Sequence, residues 1–396
     1  MKKAFWWIGI ILLSPIILFI IITILLYIPP VQKFAVRKAA LYASDRTKLD
    51  ISIDHISLLF PLDLGVNGVK VIQQNDSLPQ VKDTVADIKS IKLNVQLIPL
   101  FHKNIEINKF EISKAKINTT NFVHQARIKG FIDYFSVNSH GIKLDDKLMN
   151  INSFDLNGAK LTVELSDTVP KDTSKNENQW RIITEKANIN NADILIHMPG
   201  DTLQVQACIG ALTLLDGAFD LGKGLYSVRL IDLKSGAVNY DNRFQSRIKG
   251  FDYNHIALSG VNICIDSLSY YHSNLNMDLR ACSFVDKSGI RVRELKGKVG
   301  LDSMSVHLPS MELRTSDSDI LTEVVFDKNT FDKKNAGRMI VRLMATIGKQ
   351  DVMRFCGVMP QQFVKRYPNC PLTIRGSITG NMKTINFTGL DINLPT

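Results

Sequence analysis

The sequence predicts a mainly β protein: an N-terminal transmembrane helix, then a long, curved antiparallel sheet with one small helical insertion. Three observations predict it. Residues 4–28 carry no charge. From residue 49 onward, apolar residues recur at period two, as in strands with one apolar and one polar face. One block, 335–367, breaks that alternation with apolar residues at helical spacing.

The uncharged segment reads AFWWIGIILLSPIILFIIITILLYI and is 25 residues long. A helix of that length, at ~1.5 Å per residue, covers the ~30 Å hydrocarbon core of a bilayer. Trp6 and Trp7 at one end and Tyr27 at the other suit the two interfaces. A cleaved signal peptide is the alternative, but its apolar stretch runs to only ~7–15 residues and ends in a small-residue site. No Ala-x-Ala follows closely here. The reading is a retained anchor over 1–30, with its short tail in the cytoplasm and the body outside. The flanking charges are nearly balanced, with Lys2 and Lys3 against Lys33, Arg37 and Lys38.

Of the formal net charge of +10, +6 lies in residues 1–48. The basic balance is therefore a local feature. Residues 31–48 read as a juxtamembrane amphipathic helix, with Val31, Phe34, Ala35, Leu41 and Tyr42 apolar. Lys33, Arg37, Lys38, Arg46 and Lys48 would meet anionic lipid heads. No basic run or interleaved aromatic patch occurs beyond it, so no nucleic-acid partner is expected.

Residues 49–334 form the β body. A weak repeat runs through it: an apolar residue, two polar or small ones, a small or apolar residue, then x-apolar. Ile112-Ser-Lys-Ala115-Lys-Ile117, Leu156-Asn-Gly-Ala159-Lys-Leu161 and Ile189-Asn-Asn-Ala192-Asp-Ile194 are copies. So are Leu258-Ser-Gly-Val261-Asn-Ile263 and Phe387-Thr-Gly-Leu390-Asp-Ile392. Gly, Ala or Asn within the unit lets the backbone turn or bulge without a bulky Cβ and resume with its apolar face on the same side. Looser versions lie at 64–71 and 233–237. Turns are expected at 199–201, 221–224, 235–242 and 286–289, and a polar loop at 167–179. In the insertion, 335–370, Ile340, Leu343, Met344 and Ile347 predict a helix; shorter helices are expected over 350–356 and after Pro360. Residues 371–396 resume the sheet, and its continuation beyond this chain is left open.

The chemistry of catalysis is sparse. Eight histidines are present, and none forms HExxH or another close metal pair. There is no G-x-S-x-G and no phosphate loop; Leu221-Gly-Lys-Gly224 reads as a turn. No cofactor, metal or enzymatic activity is expected. The five cysteines, at 208, 264, 282, 356 and 370, make no dense disulfide scaffold; a bridge between Cys356 and Cys370 is left open.

An N-terminal anchor, an early Ile51-x-Ile-Asp54-x-Ile56 strand and recurrent Leu-x-Gly-Ala-x-Leu units together resemble the AsmA-like and TamB group of envelope proteins. FVKRYPNCPLTIRGSITGN at 363–381 resembles a stretch of Bacteroidetes TamB-like proteins. The resemblance implies a long twisted sheet curled into a groove, or taco, with an apolar inside. It also implies single-pass placement in the cell inner membrane, body in the periplasm. The implied function is a membrane-anchored lipid-transfer conduit carrying phospholipid acyl chains between inner and outer membranes and supporting outer-membrane biogenesis. The alternative is a non-enzymatic scaffold for outer-membrane protein assembly beside an Omp85-type barrel. Phospholipids, the inner membrane and such a barrel are the implied partners.

The residues carry a mechanism of their own. A two-faced sheet must bury its apolar face, and acyl chains could replace core side chains at ~0.8 kcal/mol per buried methylene. Candidate lining residues are Ile91, Leu93, Val95, Leu97, Ile105, Ile107, Ile112, Ile117, Leu161, Val163, Ile194, Ile196, Ile263 and Ile265. The competing reading is that they pack in a closed core.

Overall fold

The computed structural model describes residues 17–18, 20–22, 24–25, 28–47, 49–59, 63–74, 82–96, 106–119, 126–143, 147–167, 180–330, 335–367, 369–381 and 383–394. The chain divides into two units, Met1–Thr173 and Ser174–Thr396.

The first unit opens with helix α1 (Pro29–Thr47). Strands β1 (Asp50–Ser52) and β2 (His55–Leu59) both pair with β3 (Asp63–Gln74). An antiparallel meander follows through β4 (Lys82–Val95), β5 (Ile107–Asn118), β6 (Ala126–Lys143) and β7 (Leu148–Leu165). Helix α1 lies along the β1 and β2 end of that sheet. The Ile51 backbone N–H donates to Ser44 Oγ at 3.0 Å, and the Gln32 amide meets the His55 ring. A helix laid on an edge is one way a sheet avoids unwanted pairing.

The second unit is a longer meander. It runs β8 (Arg181–His197), β9 (Leu203–Asp220), β10 (Leu225–Asn242), β11 (His255–Tyr271), β12 (Asn274–Asp286) and β13 (Arg291–Leu301). It continues through β14 (Ser305–Thr315), β15 (Asp319–Asp327), β16 (Met339–Ile347), β17 (Leu372–Gly380) and β18 (Ile385–Asn393). Each strand pairs antiparallel with the next. Helices α2 (Lys349–Cys356) and α3 (Gln361–Arg366) interrupt it between β16 and β17.

The repeat has a common backbone form. Its third position takes a left-handed φ: +63° at Gly68, +52° at Lys114, +67° at Gly158, +54° at Asn191, +55° at Ser235, and +59° at both Gly260 and Gly389. That single residue makes a three-residue step between apolar positions and keeps them on one face. In most copies, though not at Leu390, the residue after it is buried. Ala115 and Val261 are 2% exposed, and Ala159 and Ala192 are buried with them.

Several expectations are corrected. The transmembrane helix over 4–28 is overturned: among the described residues no helix is long and apolar enough to cross a membrane. Much of that segment lies outside the described residues. Helix α1 carries Lys33, Arg37, Lys38, Asp45 and Arg46, too many charges for hydrocarbon. The single-pass inner-membrane address with a periplasmic body falls with the anchor. So does the anchored lipid conduit between inner and outer membranes, with its part in outer-membrane biogenesis.

Curvature is the next correction, because neither sheet closes on itself or curls strongly into a groove. The registers give a reason. Across the first unit the three-residue steps face one another: Ile112 to Ala115 opposes Ile91 to Ile88 on one side and Phe135 to Ile132 on the other. A bulge bends a sheet where one strand outnumbers its partner, and matched steps cancel most of that bend.

The expected helix bearing Ile340, Leu343, Met344 and Ile347 is strand β16. The same nine residues also alternate, with Met339, Val341, Leu343, Ala345 and Ile347 on one face, and pairing on both sides selects that pattern. The short helices do form. Residues 235–242 are not a turn but the second half of β10, after its bulge. Cys356 and Cys370 are free and exposed. Most of the loop at 167–179 lies outside the described residues.

Candidate functional site

The extended apolar feature is one face of each sheet. In the first unit, Ile56, Val66, Ile91, Ile112, Phe135 and Leu156 stand opposite one another across six consecutive strands. A parallel row runs through Leu58, Leu64, Leu93, Phe110, Val137 and Phe154. Their rings meet edge to face: Phe110 and Phe135 at 5.9 Å, Phe135 and Phe154 at 5.2 Å.

The second unit carries the longer row. Ile189, Leu212, Leu233, Ile263, Cys282, Leu295, Leu313, Ile320, Ala345, Ile374 and Ile392 follow one another from β8 to β18 without a polar member. Directly opposed side chains in an antiparallel pair share a face, so the row is one continuous apolar strip.

This strip is not a closed core. Among the described residues, the largest fully enclosed side chains are Val261, Thr330 and Asp252. A packed interior would enclose its Leu, Ile and Phe side chains instead. Along both rows most members keep part of their surface exposed.

Of the predicted lining residues, Ile91, Leu93, Val95, Ile107, Ile112, Ile117, Leu161 and Val163 share the apolar face of the first unit. Ile194, Ile196, Ile263 and Ile265 share that of the second. Leu97 and Ile105 lie outside the described residues. Phe135, Phe154, Leu295, Leu313 and Ile374 belong to the same faces and were missed. The signal was present: each sits two or three residues from another apolar residue, the two spacings that the bulge makes equivalent.

The opposite faces are polar and laced with ion pairs. Lys109 Nζ is 2.7 Å from Glu111 Oε1, and Tyr134 Oη donates to the same oxygen at 2.9 Å. The hydrogen bond from Lys109 holds the Glu111 carboxyl below the usual carboxylate range, against the opposing effect of burial. Arg127 pairs with Glu164, Arg280 with Asp266, Lys296 with Glu312, Arg314 with Glu294 and Arg342 with Glu323. Such pairs add little stability individually, but they keep this face in water. A cleft of about 410 Å³ on β14–β18 involves Arg342, whose charge is already met by Glu323.

On α1, Lys33, Arg37 and Lys38 are exposed; the Arg46 side chain and Lys48 lie outside the described residues. Phe34, Leu41 and Tyr42, expected on an apolar side, are exposed beside these cations, with Lys38 Nζ 5.8 Å from the Phe34 ring centre. Val31, Ala35, Val36, Ala39 and Ala40 are less exposed.

Two titratable clusters are structural. Ser305 Oγ lies 2.8 Å from Asp302 Oδ2 and 2.7 Å from His307 Nε2. Acid and imidazole meet the same hydroxyl, so the acid does not orient the ring from its far nitrogen as a nucleophilic triad requires. Asp252 is enclosed in the β10–β11 connection. It accepts from the backbone N–H groups of Ile248 at 3.0 Å and Asn254 at 3.2 Å and lies 2.9 Å from His255 Nδ1. Burial pushes its carboxyl up, and those donors more than reverse the effect, leaving it lowered. Among the described residues no three His, Cys, Asp or Glu side chains converge as a metal site.

The chain matches no protein-family model and no curated protein.

Proposed function

We propose that this chain is a binding protein rather than an enzyme, and that its apolar sheet faces take alkyl chains, those of phospholipids foremost. One observation carries the reading: an apolar row crosses all eleven strands of the second unit while most of its side chains remain part-exposed. A surface of that kind gains free energy from any long hydrocarbon laid on it, at roughly 0.8 kcal/mol per methylene fully buried. It offers no fixed polar group to select a headgroup. Resemblance of the repeat to the AsmA-like and TamB group supports the same ligand class. The reading concerns binding alone and assigns no anchor and no address in the cell.

The test places a photo-reactive residue at Ile194, on the apolar face opposite Ala207, and separately at Leu195, opposite Gln206. Irradiation with a phospholipid bearing labelled tails should mark the Ile194 position strongly and the Leu195 position weakly. Equal labelling at both would overturn the proposal.

A further inference from the structure

Helix α2 lies across the tips of three hairpins at one end of the second unit. Asp351 accepts from Ser318 Oγ in the β14–β15 turn at 2.7 Å, and Arg354 stands beside Gly289 in the β12–β13 turn. Phe355 stacks on Phe251 of the β10–β11 connection at 5.6 Å, and the Phe251 backbone N–H donates to the Phe355 carbonyl at 3.0 Å. A Cβ on Gly357 would overlap the Lys249 carbonyl, so the two backbones pack directly and hold the connection to the helix.

The surface around this joint is apolar and basic. Phe244 and Val358 are 71% and 70% exposed, and Ile248, Tyr253, Phe355 and Phe363 are exposed in the same two segments. Arg247, Lys249, Lys365 and Arg366 are exposed among them, Arg247 with Asp241 at 3.6 Å. Residues 243–253 contain one acid, Asp252, whose side chain is enclosed, and residues 354–366 contain none. Apolar and aromatic tips ringed by cations suit the boundary between water and anionic lipid. The apolar strip leads to the same end: Val238 and Tyr240 of β10 oppose Leu258 and Ile256 of β11, the last apolar pairs before the connection. Ile347 closes the apolar face of β16 just before α2.

We propose that this end of the second unit docks on an anionic bilayer surface and opens the apolar strip towards its lipid tails. The docking is peripheral and uses no spanning helix. Choosing a bilayer over an acidic protein rests on the alkyl-chain reading of the strip; the charge and the exposed side chains are independent of it. One dispersed headgroup meets only one or two of these cations, whereas a bilayer meets all of them together. Headgroup dependence should therefore appear with vesicles.

The test uses the full chain with Cys370→Ser and an environment-sensitive dye on the exposed Cys356. The control carries Cys356→Ser as well and places the dye at Met304→Cys, in the β13–β14 turn at the opposite strand ends. Vesicles contain phosphatidylcholine alone or mixed equally with phosphatidylglycerol, each with bromine-labelled tails as quencher. The dye at 356 should be quenched by the anionic vesicles, far less by the zwitterionic ones, and the dye at 304 by neither. It reports the patch itself, whatever else of the chain meets lipid. Arg247→Ser with Lys249→Ser should weaken the quenched state by roughly fivefold per cation. Phe244→Ser with Val358→Ser should weaken it by on the order of tenfold or more, with unchanged circular dichroism. Equal quenching at 356 and 304, or no quenching at 356, overturns the proposal. So does parent-like binding by the variant lacking both cations. Photo-labelling of the Ile194 position by dispersed phospholipid needs no vesicle, so it can succeed where docking fails, and the two readings fall separately.

Discussion

At the third position of each repeat the backbone turns left-handed, and the side chain there decides how much that costs. Gly260 has open space where a Cβ would project; Gly158 would place one 3.0 Å from Asp133 Cβ. Gly260→Ala should therefore cost only the left-handed backbone, about 1 kcal/mol. Gly158→Ala should cost more, because backbone strain and steric contact add. Gly260→Asn should be milder than Gly260→Ala, since Asn tolerates this conformation and Asn191 holds the same place in β8. Urea unfolding of the three variants checks the order, and equal losses for the two alanines would contradict it. The repeat was legible in the sequence because the residue after the bulge must be small or compact. The left-handed residue was legible only where it is Gly or Asn. Lys114 and Ser235 adopt the same φ and give no such sign, because their side chains stand in solvent where little constrains their identity.

At the scale of elements, alternation identified strands well and failed where two periods coincided. Residues 339–347 satisfy a helical stripe and a strand stripe together, and only pairing with β15 and β17 separates them. That pairing is long-range and leaves no local mark, which is why the strand was not readable. A discriminating substitution is Val341→Ala. Val341 lies between Val324 and Ile378. In a helix the change would be favourable, since alanine is the better helix former. In a strand flanked on both sides it should destabilise by roughly 1 kcal/mol, the span of measured strand preferences. Amide exchange should also find 339–347 protected alongside β15 and β17. Increased stability of the alanine variant would return the segment to a helix. The anchor expected over 4–28 is corrected on other ground: among the described residues no helix is long and apolar enough to cross a membrane, and the long helix α1 carries mixed charge and lies against strands.

For the molecule as a whole, the decisive property is that each sheet has one charged and one apolar face. The period-two pattern implied two faces, but not that the apolar one would remain part-exposed, since whether strands close on a core depends on curvature accumulated over many pairings. In the first unit matched steps around Ile112–Ala115 limit that curvature, whereas several pairings of the second unit carry register shifts. The proposed binding then has a signature that separates it from charge-driven association. Affinity for single-chain amphiphiles should rise steadily with tail length, by up to about fourfold per added methylene if each is fully buried, and by less on a face that covers only one side of the tail. Changing the headgroup from zwitterionic to anionic should matter little, because the ion pairs of both units stand on the opposite faces. Raising salt should leave the affinity unchanged or slightly higher, since screening acts on exposed charges and not on apolar contact. Isothermal titration of a C8 to C16 series at low and high salt measures all three, below each amphiphile's micellar concentration. A flat dependence on tail length, or affinity that collapses with salt, would place binding on the charged face and rule out the apolar rows as the site.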